Sequence, residues 1–141
     1  MSTTESWNEG WEKWIGVDPF EDHCGPMYYK KIDGHFHSRL MLQEKHMNGQ
    51  GNVHGGVLMT FADYALFVIA RDSLREVGAV TVSFSSEFIG PADIGELLEA
   101  RGEIIQETGR MLFVQGMIYS GERKLLRFSG VLRKVPRKAG D

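Results

Sequence analysis

Between Val57 and Ala70 the chain is almost continuously apolar, and Asp63 is the only charge before Arg71. A helix that is apolar on nearly every side has to be wrapped by other elements, because one lying on a surface would show a polar face. The pattern predicts a long helix from about His54 to Val77, with Gly78 placed to stop it. Elsewhere the polar and apolar positions read as strands. Met27 to Ile32 and Phe36 to Gln43 flank the turn signal Asp33-Gly34. Val80, Val82 and Phe84 alternate with Thr81, Ser83 and Ser85, the period of a half-buried strand, until Gly90-Pro91 breaks it. Leu97 to Gln106, Met111 to Ser120 and Lys124 to Val135 are three more strands, joined by connections short enough for antiparallel hairpins. One buried helix with five or six mostly antiparallel strands is an α+β arrangement.

Ahead of this body, Trp7, Trp11 and Trp14 recur at spacings of four and three, which predicts a short helix ended by Gly16 with its indoles on one face. That helix reads as packed on the body; a lid or an interfacial anchor is the functional alternative. Residues 1–24 are taken as an N-terminal extension and 25–138 as the domain. With 141 residues, the chain has the length of one ordinary domain. The first ten residues lack the basic start and apolar run of a signal peptide, and the Ala65–Ala70 run is far shorter than the roughly 20 residues of a membrane span. A lone cysteine, Cys24, excludes an intrachain disulfide framework and makes no zinc site alone. The expectation is a cytoplasmic protein. The net charge of −3 hides a basic tail, with seven Lys/Arg against Asp141 over residues 123–141. Such a tail keeps a late strand soluble, and phosphate or nucleic-acid attraction is the weaker reading.

The chemistry concentrates in Asn48-Gly49-Gln50-Gly51-Asn52-Val53-His54-Gly55-Gly56. Its glycines open the buried helix, where backbone N–H groups lack intrahelical partners and meet the positive end of the helix dipole. Free donors there can hold a developing oxyanion, and glycine admits a bulky substrate. A phosphate loop fits less well, since no lysine follows the glycines. Asp63 is the second element. A carboxylate inside an apolar helix is costly unless paired, hydrogen-bonded or protonated; it is either a functional group or a structural one with Arg71 as partner. Gly55 and Asp63 stand eight residues apart, about 12 Å along a helix. A reacting carbon needs its nucleophile and its oxyanion donors at roughly 3 Å each. If both residues act, Gly55 of one subunit therefore works with Asp63 of another, and a twofold dimer carries two equivalent sites.

The run from Asn48 through His54-Gly55-Gly56 to Phe61-Ala62-Asp63 resembles the signature of hotdog-fold thioesterases of the phenylacetyl-CoA (PaaI-like) type. The resemblance continues through Val80-Thr81-Val82, Phe88 to Pro91, Gly95-Glu96 and Gly109-Arg110, and covers about residues 25–135. It implies a hotdog fold, a sheet wrapped around one central helix, that hydrolyses an acyl-CoA as a homodimer or a dimer of dimers. It further implies that Gly55 donates its N–H to the thioester carbonyl, His54 holds that loop, and Asn48 orients water or the carbonyl. Asp63 of the partner subunit would be nucleophile or general base, with Thr81 hydrogen-bonded near it. Gly56, Gly90, Pro91, Gly109 and Arg110 would contact substrate, Arg110 being suited to a phosphate. Gly90 departs from the more usual residue at its position, and the Trp-rich start has no counterpart in the pattern. No metal or redox cofactor is called for, and neither nucleic acid nor membrane is expected as a partner.

The remaining candidates carry less. Phe61, Tyr64 and Phe67 either shape an acyl pocket or are plain core. His35, His37 and His46 match no metal spacing and read as solvated surface residues. His23 and Cys24 are adjacent, so their side chains point apart. Two rival functions stand beside hydrolysis: an acyl-thioester hydratase or dehydratase that pairs a histidine with an acid, and a non-catalytic acyl-CoA-binding protein.

Overall fold

A computed structural model describes residues 6–14 and 18–137. A short helix, α1 (Pro19–Cys24), precedes the hairpin β1 (Met27–Ile32) and β2 (His35–Met41). The central helix α2 (Gly55–Ile69) follows, and then β3 (Gly78–Phe88), β4 (Leu97–Glu107), β5 (Met111–Ser120) and β6 (Arg123–Val135). The six strands form one sheet in the order β1-β2-β4-β5-β6-β3, antiparallel at every junction. Asp33 and Gly34 both have positive φ and make the tight β1–β2 turn their sequence predicts.

The sheet curls around α2. Leu58, Phe61, Ala62, Ala65, Leu66 and Val68 of the helix are buried against Leu40, Leu98, Ala100, Leu112, Val114, Leu126, Phe128 and Leu132 of the strands. Register shifts between Thr81 and Ser83, Ile104 and Gln106, and Ile118 and Tyr119 interrupt the long ladders. Bulges of this kind bend a strand and increase its twist, which lets long strands wrap a helix rather than lie flat beside it. The sheet meets the helix tightly at Gly130: a Cβ there would lie 2.4 Å from Leu66 Cδ1 and 3.2 Å from the Ser83 carbonyl. This is the predicted α+β arrangement of a sheet wrapped on one central helix.

Four expectations are corrected. First, α2 stops at Ile69 instead of reaching Val77, and a 3-10 turn, Arg71–Leu74, leads into β3, which Gly78 begins rather than merely ending a helix. Tertiary partners draw the polar residues there out of the helix. The Arg71 guanidinium covers Trp14 and Tyr29, Asp72 pairs with Lys31 and Arg75, and Ser73 donates to Glu107.

Second, the tryptophans do not share a helical face. Glu12 and Tyr29 exchange backbone hydrogen bonds of 2.9 and 2.8 Å, so this segment extends the β1 edge. Trp7 meets Tyr28 and Trp11 lies under Arg39, while Trp14 meets Tyr29 and Tyr64. Main-chain pairing on an open sheet edge outweighs a short isolated helix. The predicted end of that helix, Gly16, lies outside the described residues.

Third, Val80 and Val82 are 47% and 51% exposed, whereas Ala79, Thr81 and Phe84 turn toward the core. The bulge after Thr81 explains how both Thr81 and Phe84 share the helix-facing side. Fourth, α1 was not anticipated, although Asp18-Pro19-Phe20-Glu21 carries an N-cap, a proline at the first helical position and an acid two places later. The Asp18 carboxylate accepts the Glu21 N–H at 3.0 Å, as such a start requires.

The close approach at Gly130 yields a stability prediction. Gly130→Ala should destabilise the fold by about 1–3 kcal/mol through overpacking, read as a lower urea midpoint with an unchanged slope. Gly49→Ala, whose Cβ would meet nothing within 4 Å, should stay within about 0.5 kcal/mol of wild type.

Candidate active site

The loop before α2 is pinned by its own backbone. Asn48 N–H donates to the Asn52 carbonyl at 2.7 Å, and the Asn48 side-chain oxygen accepts from Gln50 and Asn52 N–H at 2.8 and 3.2 Å. Gly51, at φ +84°, makes the turn. Val53 N–H reaches the Ala92 carbonyl at 2.7 Å and His54 N–H the His46 carbonyl at 2.8 Å. The Asn48 carboxamide oxygen is thus engaged within the loop.

Helix α2 opens with most of its first donors satisfied, and the Leu58 N–H makes the first ordinary helical bond. His54 Nδ1 accepts the Gly56 N–H at 2.9 Å, and the His54 carbonyl takes those of Val57 and Leu58 at 2.9 and 3.4 Å. Gly55 N–H alone has no partner among the described residues. It sits at the positive end of the helix, next to the Phe88 ring, which a Gly55 Cβ would meet at 3.1 Å. Because Nδ1 of His54 accepts a backbone N–H, its neutral ring carries the proton on Nε2 and offers a donor outward.

Asp63 lies half-buried on the same helix, and its Oδ1 accepts the Thr81 hydroxyl at 2.7 Å. Arg71 does not serve it, being stacked on Trp14 and Tyr29. Eight residues of continuous helix separate Gly55 from Asp63, about 12 Å. Gly90 and Pro91 lie at the end of β3 nearest the α2 start: Ile89 and Gly90 N–H both reach the Leu125 carbonyl, and the Pro91 carbonyl accepts from Arg123. Gly109 and Arg110 occupy the β4–β5 turn at the other end of the sheet, with the Arg110 side chain exposed. Phe88 aligns with Leu126 and Met111 with Arg133, so these ends are about 23 Å apart along β6. One chain therefore gathers Asn48, His54, Gly55, Gly56, Gly90 and Pro91, joins Asp63 to Thr81, and leaves Gly109 and Arg110 apart.

Two residues around helix α1 are not announced by the sequence pattern. His46, expected at the surface, is 1% exposed. Its Nδ1 accepts the Gln43 N–H at 2.9 Å and its Nε2–H donates to the Cys24 carbonyl, clamping the end of α1, and burial lowers its pKa. Glu21 is held by α1 against α2. Burial, reinforced by the charges of Asp18 and Asp63, pushes its carboxyl up to about 7. Of the other histidines, His37 Nδ1 lies 3.0 Å from Glu99 and His35 is exposed. A cavity of about 670 Å³ opens on the sheet face away from α2, lined among others by Ile32, His35, His37, Arg101, Met117 and Arg127. It contains none of the predicted site residues.

A curled antiparallel sheet around one helix, with a glycine-opened start and a carboxylate farther along, defines a protein of the hotdog class. Residues 50–126 match the family model of the thioesterase superfamily, and the chain belongs to that family. It is 32% identical over 125 residues to a Pseudomonas aeruginosa protein provisionally named an esterase, covering 87% of this chain and 93% of the relative. Among solved structures it is similar to the phenylacetic acid degradation protein PaaI of Thermus thermophilus, in an N-to-D mutant form (TM-score 0.73, 22% identity, 84% of this chain and 100% of that one). A hypothetical thioesterase of Streptococcus pneumoniae, crystallised with coenzyme A, is also similar (TM-score 0.70, 19% identity, 80% and 91% coverage). No helix among the described residues is long and apolar enough to cross a membrane.

The Glu21 carboxyl gives a signed pH prediction. Its pKa in the fold, about 7, lies above the ordinary value of 4.5, so between those pH values the native state binds more protons than the unfolded chain. Stability contributed by this group is complete below 4.5 and is lost as pH rises to 7. In thermal melts across that range, Glu21→Gln should gain on wild type with rising pH and level off above 7.

Proposed function

We propose that this protein is an acyl-CoA thioesterase whose two sites are each shared between the subunits of a dimer. The observation that carries the reading is the isolation of one donor. Capping satisfies the Gly56 and Val57 N–H groups and leaves Gly55 N–H free, on the same helix as Asp63 but about 12 Å from it. A thioester carbon cannot meet both from one chain. The outer edge of β3 has no strand partner among the described residues, and Val80, Val82, Phe88 and Ile89 beside it are exposed. Antiparallel pairing of two such edges would cover those residues and set two α2 helices antiparallel, so that Gly55 faces Asp63 of the partner subunit. The same reversal would bring Arg110 of the partner subunit toward Gly90 and Pro91, where its guanidinium suits a CoA phosphate. A cleft completed by a second copy is not a closed cavity in one chain, which agrees with the outlying position of the cavity described above.

In this mechanism the thioester carbonyl oxygen rests on Gly55 N–H, strengthened by the helix dipole as negative charge develops on it. Asp63 of the partner subunit, oriented by the Thr81 hydroxyl, either attacks the carbonyl carbon or takes a proton from water that attacks it. In the water route the carbon–oxygen bond forms, the carbon–sulfur bond breaks, and Asp63 returns the proton to the sulfur. In the attack route an Asp63–acyl anhydride forms as the carbon–sulfur bond breaks and CoA leaves as a thiolate that takes a proton from solvent; water then cleaves the anhydride to the free acid and Asp63. Asn48 keeps its NH2 for the water or the carbonyl. A hydratase would need His54 to accept a proton, but its Nδ1 is occupied by Gly56 N–H, so its remaining nitrogen is a donor in the neutral ring.

Release of CoA from aryl- and alkyl-CoA thioesters tests this reading. Wild type should turn over at least one of them, and Asp63→Asn should lower kcat by about 10²- to 10⁴-fold while staying folded and dimeric. Binding of acyl-CoA without any release of CoA would establish the non-catalytic alternative instead.

A further inference from the structure

Asp63 is not alone on its side of α2. Helix α1 is anchored at both ends: Asp18 caps its start, and the Cys24 carbonyl at its finish accepts from buried His46. So fixed, α1 packs on α2 and sets Glu21, half-buried, close enough to Asp63 and Tyr64 for their charges to interact. Tyr64 supplies a second, independent sign of an unfinished polar site. It is 2% exposed, and its phenol oxygen is buried without a hydrogen-bond partner among the described residues. A buried hydroxyl left unpaired is uncommon and costs about 1–3 kcal/mol, and the neighbour whose charge acts on it most is Glu21.

We propose that Glu21 is a positioning residue for Asp63: a second carboxyl whose negative charge, when present, drives charge off Asp63 as the thioester is attacked, with the Tyr64 phenol as the donor that receives it. This rests on Asp63 acting as proposed above. Both routes available to Asp63, attack on carbon and removal of a proton from water, begin by moving negative charge away from it. A second negative charge nearby repels the charge on Asp63 more than it repels the same charge once transferred to the oxyanion at the other subunit's Gly55, and so it lowers the barrier. The charged and titratable groups around Glu21 are Asp18 and Asp22 on α1, Asp63 and Tyr64 on α2, Arg71 beyond α2, Tyr29 on β1 with its neighbour Glu12, and His46 behind the end of α1. The negative charges of Asp18, Asp63 and Asp22 keep Glu21 protonated to higher pH than an isolated carboxyl. As pH rises through neutrality it ionises, and the site gains its second charge.

The rate of CoA release should then climb across neutral pH by a factor of about 5, the order expected of one partly screened charge near the site. Glu21→Gln keeps the shape of the side chain and an N–H for Asp18 but cannot ionise. It should match wild type at pH 6, lack the climb, and leave KM within about twofold. Tyr64→Phe should shift the climb to higher pH by removing the donor for ionised Glu21. A Glu21→Gln profile that still climbs like wild type overturns the proposal while leaving Asp63 in its role, provided Asp63→Asn is inactive. Activity that survives Asp63→Asn overturns both. A measurement free of turnover checks the coupling directly: in carboxyl-carbon NMR, the signal assigned to Glu21 by its absence in Glu21→Gln should titrate near neutrality and move to lower pH in Asp63→Asn. An unmoved titration refutes it.

Discussion

The helix α2 is apolar on nearly every side, and the fold is arranged around enclosing it. Burial of Phe61, Ala65, Leu66 and their neighbours removes from water a surface that no single flat sheet face could cover. The long strands therefore curl, three bulges bend them, and Gly130 lets the helix press against β6 at a distance that any side chain would forbid. The helix start is the exception. Gly55 and Gly56 carry no side chains to bury, so the first turn emerges half-buried from the wrapping, with the Gly55 N–H unpaired among the described residues.

Enclosure also decides what a charge on that helix can do. Asp63 would be expensive inside the barrel of apolar side chains; it sits half-buried at its margin, where Thr81 reaches it. Strand alternation turns Val80 and Val82 outward opposite that hydroxyl, and the β3 bulge brings Phe84 back to the helix side. The same strand that orients a candidate catalytic group thus exposes the apolar edge through which a second copy could complete the site. The cap on α2 adds selectivity of another kind: His54 accepts the Gly56 and Val57 N–H groups through its ring nitrogen and its carbonyl while its own N–H goes to His46, and so concentrates the positive end of the helix on Gly55.

Much of this was readable in order along the chain. The apolar run from Val57 predicts the buried helix, the glycines before it predict its open start, and Asp63 is conspicuous because nothing else in the run is charged. Where the reading failed, nonlocal partners were at work. The helical period through Arg71 to Val77 was overruled by Trp14, Lys31 and Glu107, residues distant in sequence that bind its polar side chains. The tryptophan spacing fits a helix, yet a sheet edge at Tyr29 was available to pair with. His46 looked like a surface residue because no local pattern announces that the Cys24 carbonyl and the Gln43 N–H will enclose it. Helix α1 was missed for a different reason, since its Asp-Pro-Phe-Glu start is a local signal that lay in plain view beside Gly16.

By itself, then, the sequence determined the class of fold, the helix and strands that build it, and the run of residues that opens α2, because burial pattern, glycine geometry and capping chemistry act over a few neighbours. Tertiary structure decided which helix-start donor remains free, that Asp63 takes Thr81 rather than Arg71, which face of β3 is apolar to the outside, and that the helix carrying Glu21 packs on the one carrying Asp63. Each of these depends on contacts between segments far apart in the chain, and the physical quantities that set them, distance and desolvation, exist only once those segments have packed.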